Sequence, residues 1–531
     1  MNVPWLTLVI VIPVGMAILL QLVPRSQTAL IKALMVGATA TVAVIVFALL
    51  YNMAGSPAGG GPLSLHYQER HDWIPAIGAS YHLGLDGLSG WLLALNAGVF
   101  LLGALAVSRR ATDRLRFYAT LLLLTEAATG GVLLSADLLL FYLFWEGMLI
   151  PLYFLLSNFG DENRGRNTLK FVIYTVAGSL LMLASIIWLY FNAHLGTGET
   201  SSFDLAFLIN HPSASQAALV IPGVKISTFT PQQLVFIGFA LAFAIKIPIV
   251  PFHTWLPGLY ESSPPFVLVF FAGIVSKLGA YGFIRYGLTL FPQPIGYFKW
   301  VLAALAVLSI IYGALMALSE RDIKRIVAYA SISHLGFIAL GIFSLTQNGV
   351  NGAIIQIINH GIIIAALFLI VGMIEARTGT RELHELSGLE KRMPWLYFLF
   401  LVATLAGLGM PGMNSFVGEF TIMLGAFQLN WIYAVLAGGG VILACWYMLR
   451  LHQGLMHDPI KPVLERVRDI RLGEALLLSP LVALMVFLGV YPRPVGDLAN
   501  PSVAQYVSIA TGANPNPSSS APSAGTPQAP Q

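Results

Sequence analysis

The chain alternates long apolar runs with short polar breaks from one end to the other. Fourteen runs have the length of membrane spans, near residues 4–23, 29–51, 86–107, 116–134, 136–156, 168–191, 233–258, 264–286, 299–318, 325–346, 351–374, 394–428, 431–452 and 473–492. Most hold about 20 residues, enough for an α-helix to cross a hydrocarbon core of about 30 Å. The pattern predicts an all-α polytopic membrane protein with about fourteen transmembrane helices. The seventh and twelfth runs are longer and carry helix breakers. Pro248, Pro251 and Pro257 interrupt the seventh, and Met410-Pro411-Gly412-Met413-Asn414 interrupts the twelfth. Proline inside a helix removes a hydrogen bond and frees a carbonyl. Such a break is tolerated at membrane depth only where protein or water satisfies it. Runs seven and twelve are an odd number apart, so they cross in opposite directions. A broken helix in each of two opposed halves is the layout of an inverted repeat.

Charged residues interrupt four runs near their middles. They are Glu146 in LLLFYLFWEGMLIPLYFLL, Lys246 in FALAFAIKIPIVPFHTWLP, Lys277 in FFAGIVSKLGAYGFIRY and Glu419 in LAGLGMPGMNSFVGEFTIML. A charge at the bilayer centre costs about 2.5–3.5 kcal/mol even on the mildest scale. Four of them, with acid and base mixed, point to a path for protons or ions. A buried lysine can release a proton near neutral pH, which arginine cannot. The alternative reading of each lysine is a structural ion pair, and that of Glu146 is a protonated acid bonded to a neighbouring helix. His334, in AYASISHLGFIALG, suits a proton relay, with Ser331 and Ser333 placed to hold water beside it. His360 in IINHGIIIAALF and Glu126 in LLLLTEAATGG are further candidates for the path. His253, next to the seventh-run break, is expected to cap freed carbonyls or to feed the cytoplasmic end of a channel.

Composition agrees with the pattern. Of 531 residues, 57% are hydrophobic and only 10% charged, against about 25% in a soluble protein. Mean hydropathy is +0.78. Basic residues crowd the loops after odd-numbered runs, such as Arg109, Arg110, Arg114 and Arg116, or Arg321, Lys324 and Arg325; few, among them Arg70, Lys225 and Arg285, fall on the other side. The positive-inside rule therefore predicts both termini outside the cytoplasm. The net charge of +4 follows from these loops and gives no reason to invoke nucleic acid. The single cysteine, Cys445, excludes an internal disulfide and a cysteine-ligated iron–sulfur cluster. No dinucleotide fingerprint, P-loop or Cys/His zinc cluster appears. A haem would need His334 and His360 to face each other. The first run reads as a retained span, not a signal peptide. The long outer loops 52–85 and 192–232 are expected to cap the protein or meet a partner. The segment 495–531, rich in Pro, Ser and Ala, reads as a disordered tail.

The stretches FAIKIPIVPFHTWLP, AGIVSKLGAYGFIRY, AYASISHLGFIALGIF and PGMNSFVGEF resemble the antiporter-like membrane subunits of respiratory complex I (NADH:quinone oxidoreductase). SADLLLFYLFWEGMLIPLYFLL is similar to the M branch of that family, also called subunit 4. The resemblance covers roughly residues 80–455. It implies fourteen helices with two inverted five-helix repeats and a hydrophilic axis along the membrane midplane. The corresponding division is 1–110 for the N-terminal helices and outer loop, 111–290 and 291–455 for the repeats, 456–494 for a C-terminal helix and 495–531 for the tail. It also implies that Glu146 and Lys246 form a charge-coupling pair, that Lys277 and His334 bridge two half-channels, and that Glu419 is the terminal carrier. Glu419 favours the M branch, because a lysine is expected there in the sister subunits. The implied function is proton translocation in the inner membrane of a bacterium, coupled to quinone reduction elsewhere in the complex. Other membrane-arm subunits, including the sister antiporter-like ones, would be the partners. NADH and quinone would be used by the wider complex, with no cofactor or metal bound by this chain. The sequence GLYESSPPFVL departs from the family's usual acidic and Ala-Pro-Thr turn. Alternative readings are a subunit of a multi-subunit sodium/proton antiporter, the membrane arm of a hydrogenase-type complex, or a structural scaffold.

Overall fold

A computed structural model describes residues 3–54, 63–109, 114–192, 201–211 and 229–513. Arg110, Lys225, most of the outer loop 192–232 and the tail from 514 onward lie outside the described residues. The helices are α1 (Trp5–Leu22), α2 (Thr28–Met53), α3 (Gly87–Ser108), α4 (Leu115–Leu134), α5 (Leu138–Asn158), α6 (Arg164–Asn192), the short α7 (Leu205–Asn210), α8 (Pro231–Lys246), α9 (Leu256–Ser262) and α10 (Pro265–Leu290). They continue as α11 (Pro292–Ser319), α12 (Ile323–Phe343), α13 (Gln347–Thr378), α14 (Pro394–Gly407), α15 (Asn414–Leu429), α16 (Trp431–Met456), α17 (Leu472–Val490) and α18 (Arg493–Thr511). Among the described residues, twelve helices are long and apolar enough to cross a membrane. The shorter apolar helices α8 and α14 belong to the seventh and twelfth predicted runs, the two with breakers.

The helices differ in what surrounds them. α10, α12 and α13 are enclosed on every side, as expected for helices apolar all round. They carry Lys277, His334 and His360. The outer helices expose large apolar side chains, such as Leu22 on α1, Trp446 on α16 and Val490 on α17, which is the face a helix turns to lipid. α11 and α12 approach through small residues. A Cβ on Gly313 would lie 2.6 Å from the Ser333 backbone nitrogen, and one on Gly336 would lie 2.8 Å from that of Ile310. The Ser333 hydroxyl donates to the Ile310 carbonyl at 2.9 Å. Close backbone approach of this kind is how helices pack where lipid removes the hydrophobic drive.

Both breaks are satisfied by protein. After Lys246 the chain turns through Pro248 and Pro251 before α9 begins. The Trp255 indole donates to the freed Ile245 carbonyl at 3.0 Å, and the Ser309 hydroxyl accepts from the Val250 N–H at 2.9 Å. Between α14 and α15 lie Pro411 and Gly412, with Gly409 and Gly412 at φ of 75° and 91°. Both are left-handed conformations that glycine adopts without a Cβ clash. α10 is irregular in a different way. A 3₁₀ turn spans Val275–Lys277 and a π turn spans Phe283–Gly287; mid-helix turns of both kinds often mark functional positions.

Four expectations change. The loop before α3 contains an antiparallel hairpin, β1 (Tyr67–Ile74) and β2 (Ala79–Leu85), with Tyr67 opposite Leu85. The segment read as a disordered tail from 495 is helical to Thr511. Its Val495, Ala499, Val503, Tyr506 and Ala510 form a buried stripe at helical spacing; the Pro- and Ser-rich composition hid that period. Arg285 is fully buried in α10, not in an outer loop. Lys324, counted with the loops, is 1% exposed, and its ammonium lies 3.0 Å from the Glu375 carboxylate.

Because Gly313 and Gly336 leave no room for a side chain, Gly336→Val should strain the α11–α12 crossing by at least about 1–3 kcal/mol. The expected result is a lower level of the folded chain in membranes, read by quantitative blotting against wild type.

Candidate functional site

Six of the predicted polar residues fall in three groups, with Lys246, Lys277, His334, His360 and Glu419 buried and Glu146 half-buried. The first group holds Glu146 of α5 and Lys246 at the C-terminus of α8. Lys246 is 1% exposed, and its ammonium has no hydrogen-bond partner among the described residues. It lies 5.3 Å from the ring centroids of both Trp145 and Phe171, where aromatic faces offer a cation-π environment. Glu146 and Lys246 form no ion pair within 4.0 Å, but their charges are close enough to interact. The pair is therefore electrostatic and not a contact. A lysine held over aromatic rings without a bonded carboxylate is one whose protonation a modest change in field can alter.

The second group is Lys277 and His360. Lys277 is completely buried. Its position in the 3₁₀ turn lets its ammonium reach back to the Ala272 carbonyl, with the Ser276 hydroxyl at 3.4 Å. His360 of α13 is 2% exposed and neither ring nitrogen has a partner among the described residues. It is within electrostatic range of Lys277 and 5.6 Å, centroid to centroid, from the ring of His334.

The third group surrounds the second break. His334 Nδ1 is 2.8 Å from Glu419 Oε1, and its Nε2 is 3.1 Å from the Tyr447 hydroxyl. Glu419 Oε1 also accepts from Gln356 at 3.0 Å and from the Ser415 hydroxyl at 3.0 Å. A carboxylate with three such partners is held in one place. The break brings it there: a Cβ on Gly409 would lie 2.9 Å from Glu419 Oε2. Only a glycine lets the carboxylate rest against the interrupted backbone. Ser331 Oγ and both polar side-chain atoms of Asn414 are buried without partners among the described residues, and such atoms are ready to bond water.

Two candidates lie apart. Glu126 of α4 is 1% exposed, with both oxygens unpartnered among the described residues. The Thr129 hydroxyl one turn away donates to Asn96 at 2.7 Å. At the first break it is Trp255 that bonds the Ile245 carbonyl, and His253 Nδ1 is buried with no partner among the described residues. Its ring packs edge-on against Tyr312 at 4.8 Å. Among the described residues, no group of three His, Cys, Asp or Glu side chains gathers as a metal site.

The family described as NADH:quinone oxidoreductase/Mrp antiporter, TM, matches residues 135–445, which include Glu146, Lys246, Lys277, His334, His360 and Glu419. NADH-quinone oxidoreductase subunit M of Mycobacterium tuberculosis is 36% identical over 549 residues, covering 97% of this chain and 96% of the relative. The chain belongs to the NADH:quinone oxidoreductase/Mrp antiporter family. Another member, NADH-quinone oxidoreductase subunit M of Rhodobacter capsulatus, is 37% identical and covers 94% of this chain and 96% of the relative. A chain of respiratory complex I from Thermus thermophilus superimposes with a TM-score of 0.81 at 31% identity, covering 96% of this chain and all of that one. A chain of the Mrp complex from Dietzia sp. shares the fold, with a TM-score of 0.80 at 23% identity, over 95% of this chain and 98% of that one.

Beyond its three polar groups, this family member holds a buried cluster that sequence reading missed. Arg285 lies 2.9 Å from Asp86, and both side chains are fully buried. Tyr506 of α18 donates to Asp86 and accepts from Arg285. Tyr281 lies 3.2 Å from the Arg285 Nε. Asp86 also caps α3 through Ser89. The cluster ties the π turn of α10 to α3 and to the C-terminal helix, two turns beyond Lys277. Asp86 precedes an apolar run and Ser89 follows three positions later, a capping signal legible in the sequence. Tyr506 carried no such signal.

Gly409→Ala should displace the Glu419 carboxylate and strain a left-handed turn. The expected result is assembled protein whose coupled proton transport falls to background. Retained transport in Gly409→Ala would show that the carboxylate need not rest at the break.

Proposed function

We propose that this chain is the M-type proton-translocating membrane subunit of a bacterial NADH:quinone oxidoreductase. The observation that carries this reading is the buried series Lys246, Lys277, His360, His334 and Glu419, which ends on a carboxylate fixed at a helix break. A structural scaffold has no use for buried lysines without carboxylate contacts. Relatives named subunit M, similar over nearly the whole chain, favour the quinone-linked complex over a sodium/proton antiporter subunit. The other membrane-arm subunits of that complex are its partners. NADH and quinone are substrates of the wider assembly.

In this reading Glu146 sets the field at Lys246. While Glu146 is charged, a proton on Lys246 is stabilised; when that charge is neutralised or moved, the proton is released. At a separation of about 4 Å and an effective dielectric of 20, two unit charges interact by about 4 kcal/mol. A somewhat longer separation still leaves a useful fraction of that energy. The proton passes to Lys277, then through His360 to His334, whose Nδ1 faces Glu419. His360 enters as a bridge because it lies between Lys277 and His334. Glu419, supported by Gln356 and Ser415, holds the proton before its exit. His253 and Glu126 are placed as side branches, the first at the inner break.

The same reading treats α8–α9 and α14–α15 as equivalent broken elements of two inverted repeats. It puts both termini on the outer, periplasmic face, because Arg25, Arg116, Arg325 and Arg381 all fall at the opposite ends of their helices.

The test uses inverted membrane vesicles with the assembled complex. Glu146→Gln and Lys246→Ala should leave assembly intact while NADH-driven pumping and quinone reduction fall together. Full pumping in Lys246→Ala would reject the scheme. Sodium-for-proton exchange without NADH would instead favour the antiporter reading.

A further inference from the structure

We propose that a pocket framed by Arg25, Arg114 and Arg116 binds the phosphodiester headgroup of an anionic phospholipid. The pocket has a volume of about 420 Å³ and is also lined by Gln21, Thr28 and Asn158. It lies where four helices end: the C-termini of α1 and α5 and the N-termini of α2 and α4. Its lining includes no residue of the proposed proton path, and the inference is independent of that reading. It requires only that these helices cross the membrane.

The charge arrangement calls for an anion. Three arginines share the lining, and no carboxylate is among them. None of the three forms an ion pair with a carboxylate among the described residues. Their protein bonds are neutral and partial. Arg116 donates from one nitrogen to the carbonyls of Gln21 and Val23, at 3.3 and 3.0 Å. Arg114 donates from one nitrogen to the Asn158 side chain at 3.2 Å. These bonds orient the guanidinium groups and leave other N–H groups of each fork for a ligand. A guanidinium fork matches phosphate oxygens in pairs. The first turns of α2 and α4 have no side-chain cap, so their N–H groups add to the attraction.

The surroundings decide between a free anion and a lipid. An exposed apolar strip runs from the pocket along the helices toward the membrane interior. Leu22 and Ile18 lie on α1, and Ile150 and Phe154 on α5, with exposures of 80%, 64%, 65% and 41%. Phe117 of α4 continues the strip, with its ring edge-on to Phe154 at 6.3 Å. Inorganic phosphate has no use for this strip. Acyl chains do, and basic pockets between transmembrane helices are known to take anionic headgroups.

The experiment compares wild-type complex with complex carrying Arg25→Gln, Arg114→Gln and Arg116→Gln together. Both are purified in detergent, exposed to cardiolipin, phosphatidylglycerol or phosphatidylcholine, and weighed by native mass spectrometry. The expected result is that wild type retains at least one more molecule of anionic lipid per complex than the triple variant. It should retain phosphatidylcholine no better than the variant does, and excess inorganic phosphate should not displace the anionic lipid. Single Arg114→Gln, the mildest change, should show an intermediate loss and guards against failed assembly of the triple variant. Equal retention by wild type and variants would overturn the proposal. So would equal binding of phosphatidylcholine, or displacement by inorganic phosphate.

Discussion

Taking an ammonium or a carboxylate out of water is the constraint on which this structure depends. In the hydrocarbon layer such a group must be bonded, hydrated or neutralised. The chain answers in two ways at two depths. At one end of α10, Arg285 and Asp86 meet directly and are closed off by Tyr281 and Tyr506. That arrangement has all the marks of a fixed charge pair. Nearer the middle, among the described residues, Lys246 and Lys277 have no carboxylate contact and His360 has no partner on either nitrogen. Those groups can change protonation without tearing an ion pair apart. In the proposed reading this difference sets the two lysines and His360 apart from the fixed Arg285–Asp86 pair, although all of these residues are buried.

Helix irregularity delivers the path residues to one another. Lys246 is the last residue of α8 before a break, Lys277 occupies a 3₁₀ turn, and Glu419 follows a break whose Gly409 gives its carboxylate room. In a regular helix each would present its side chain only to a neighbouring helix. Where the ladder is interrupted, backbone groups and small residues leave space for polar side chains and water. Proline and glycine at these points are part of the site. Trp255 and Ser309 complete the first break by taking over backbone groups that the missing turn has freed.

Much of this was legible in the sequence, for physical reasons. A span must be about 20 apolar residues long, so the runs announced the helices and their order. Pro248, Pro251, Pro411 and Gly412 marked both breaks, because proline cannot continue a helical ladder. Glu146, Lys246, Lys277 and Glu419 stood out because charge is rare in apolar runs. What escaped notice depended on tertiary contact. Arg285 looked like a loop residue near a helix end until Asp86 and Tyr506 were seen to enclose it. The helix around Tyr506 was masked by Pro, Ser and Asn, which lower propensity without removing the buried stripe. His360 gained weight only from its place between Lys277 and His334, which no spacing within one helix reveals. Glu146 and Lys246 act on each other through their charges and not through a direct contact, a geometry no sequence pattern specifies. Aromatic rings from α5 and α6 face the ammonium instead.

The central claim is that Glu419 gains and loses a proton through His334 during turnover. The most direct measurement is infrared difference spectroscopy of the assembled complex with isotopically labelled glutamate, recorded as NADH drives quinone reduction. The account predicts a carboxyl band that changes during turnover, disappears in Glu419→Gln and is altered in His334→Gln. A turnover spectrum identical in wild type and Glu419→Gln, with pumping intact, would contradict it.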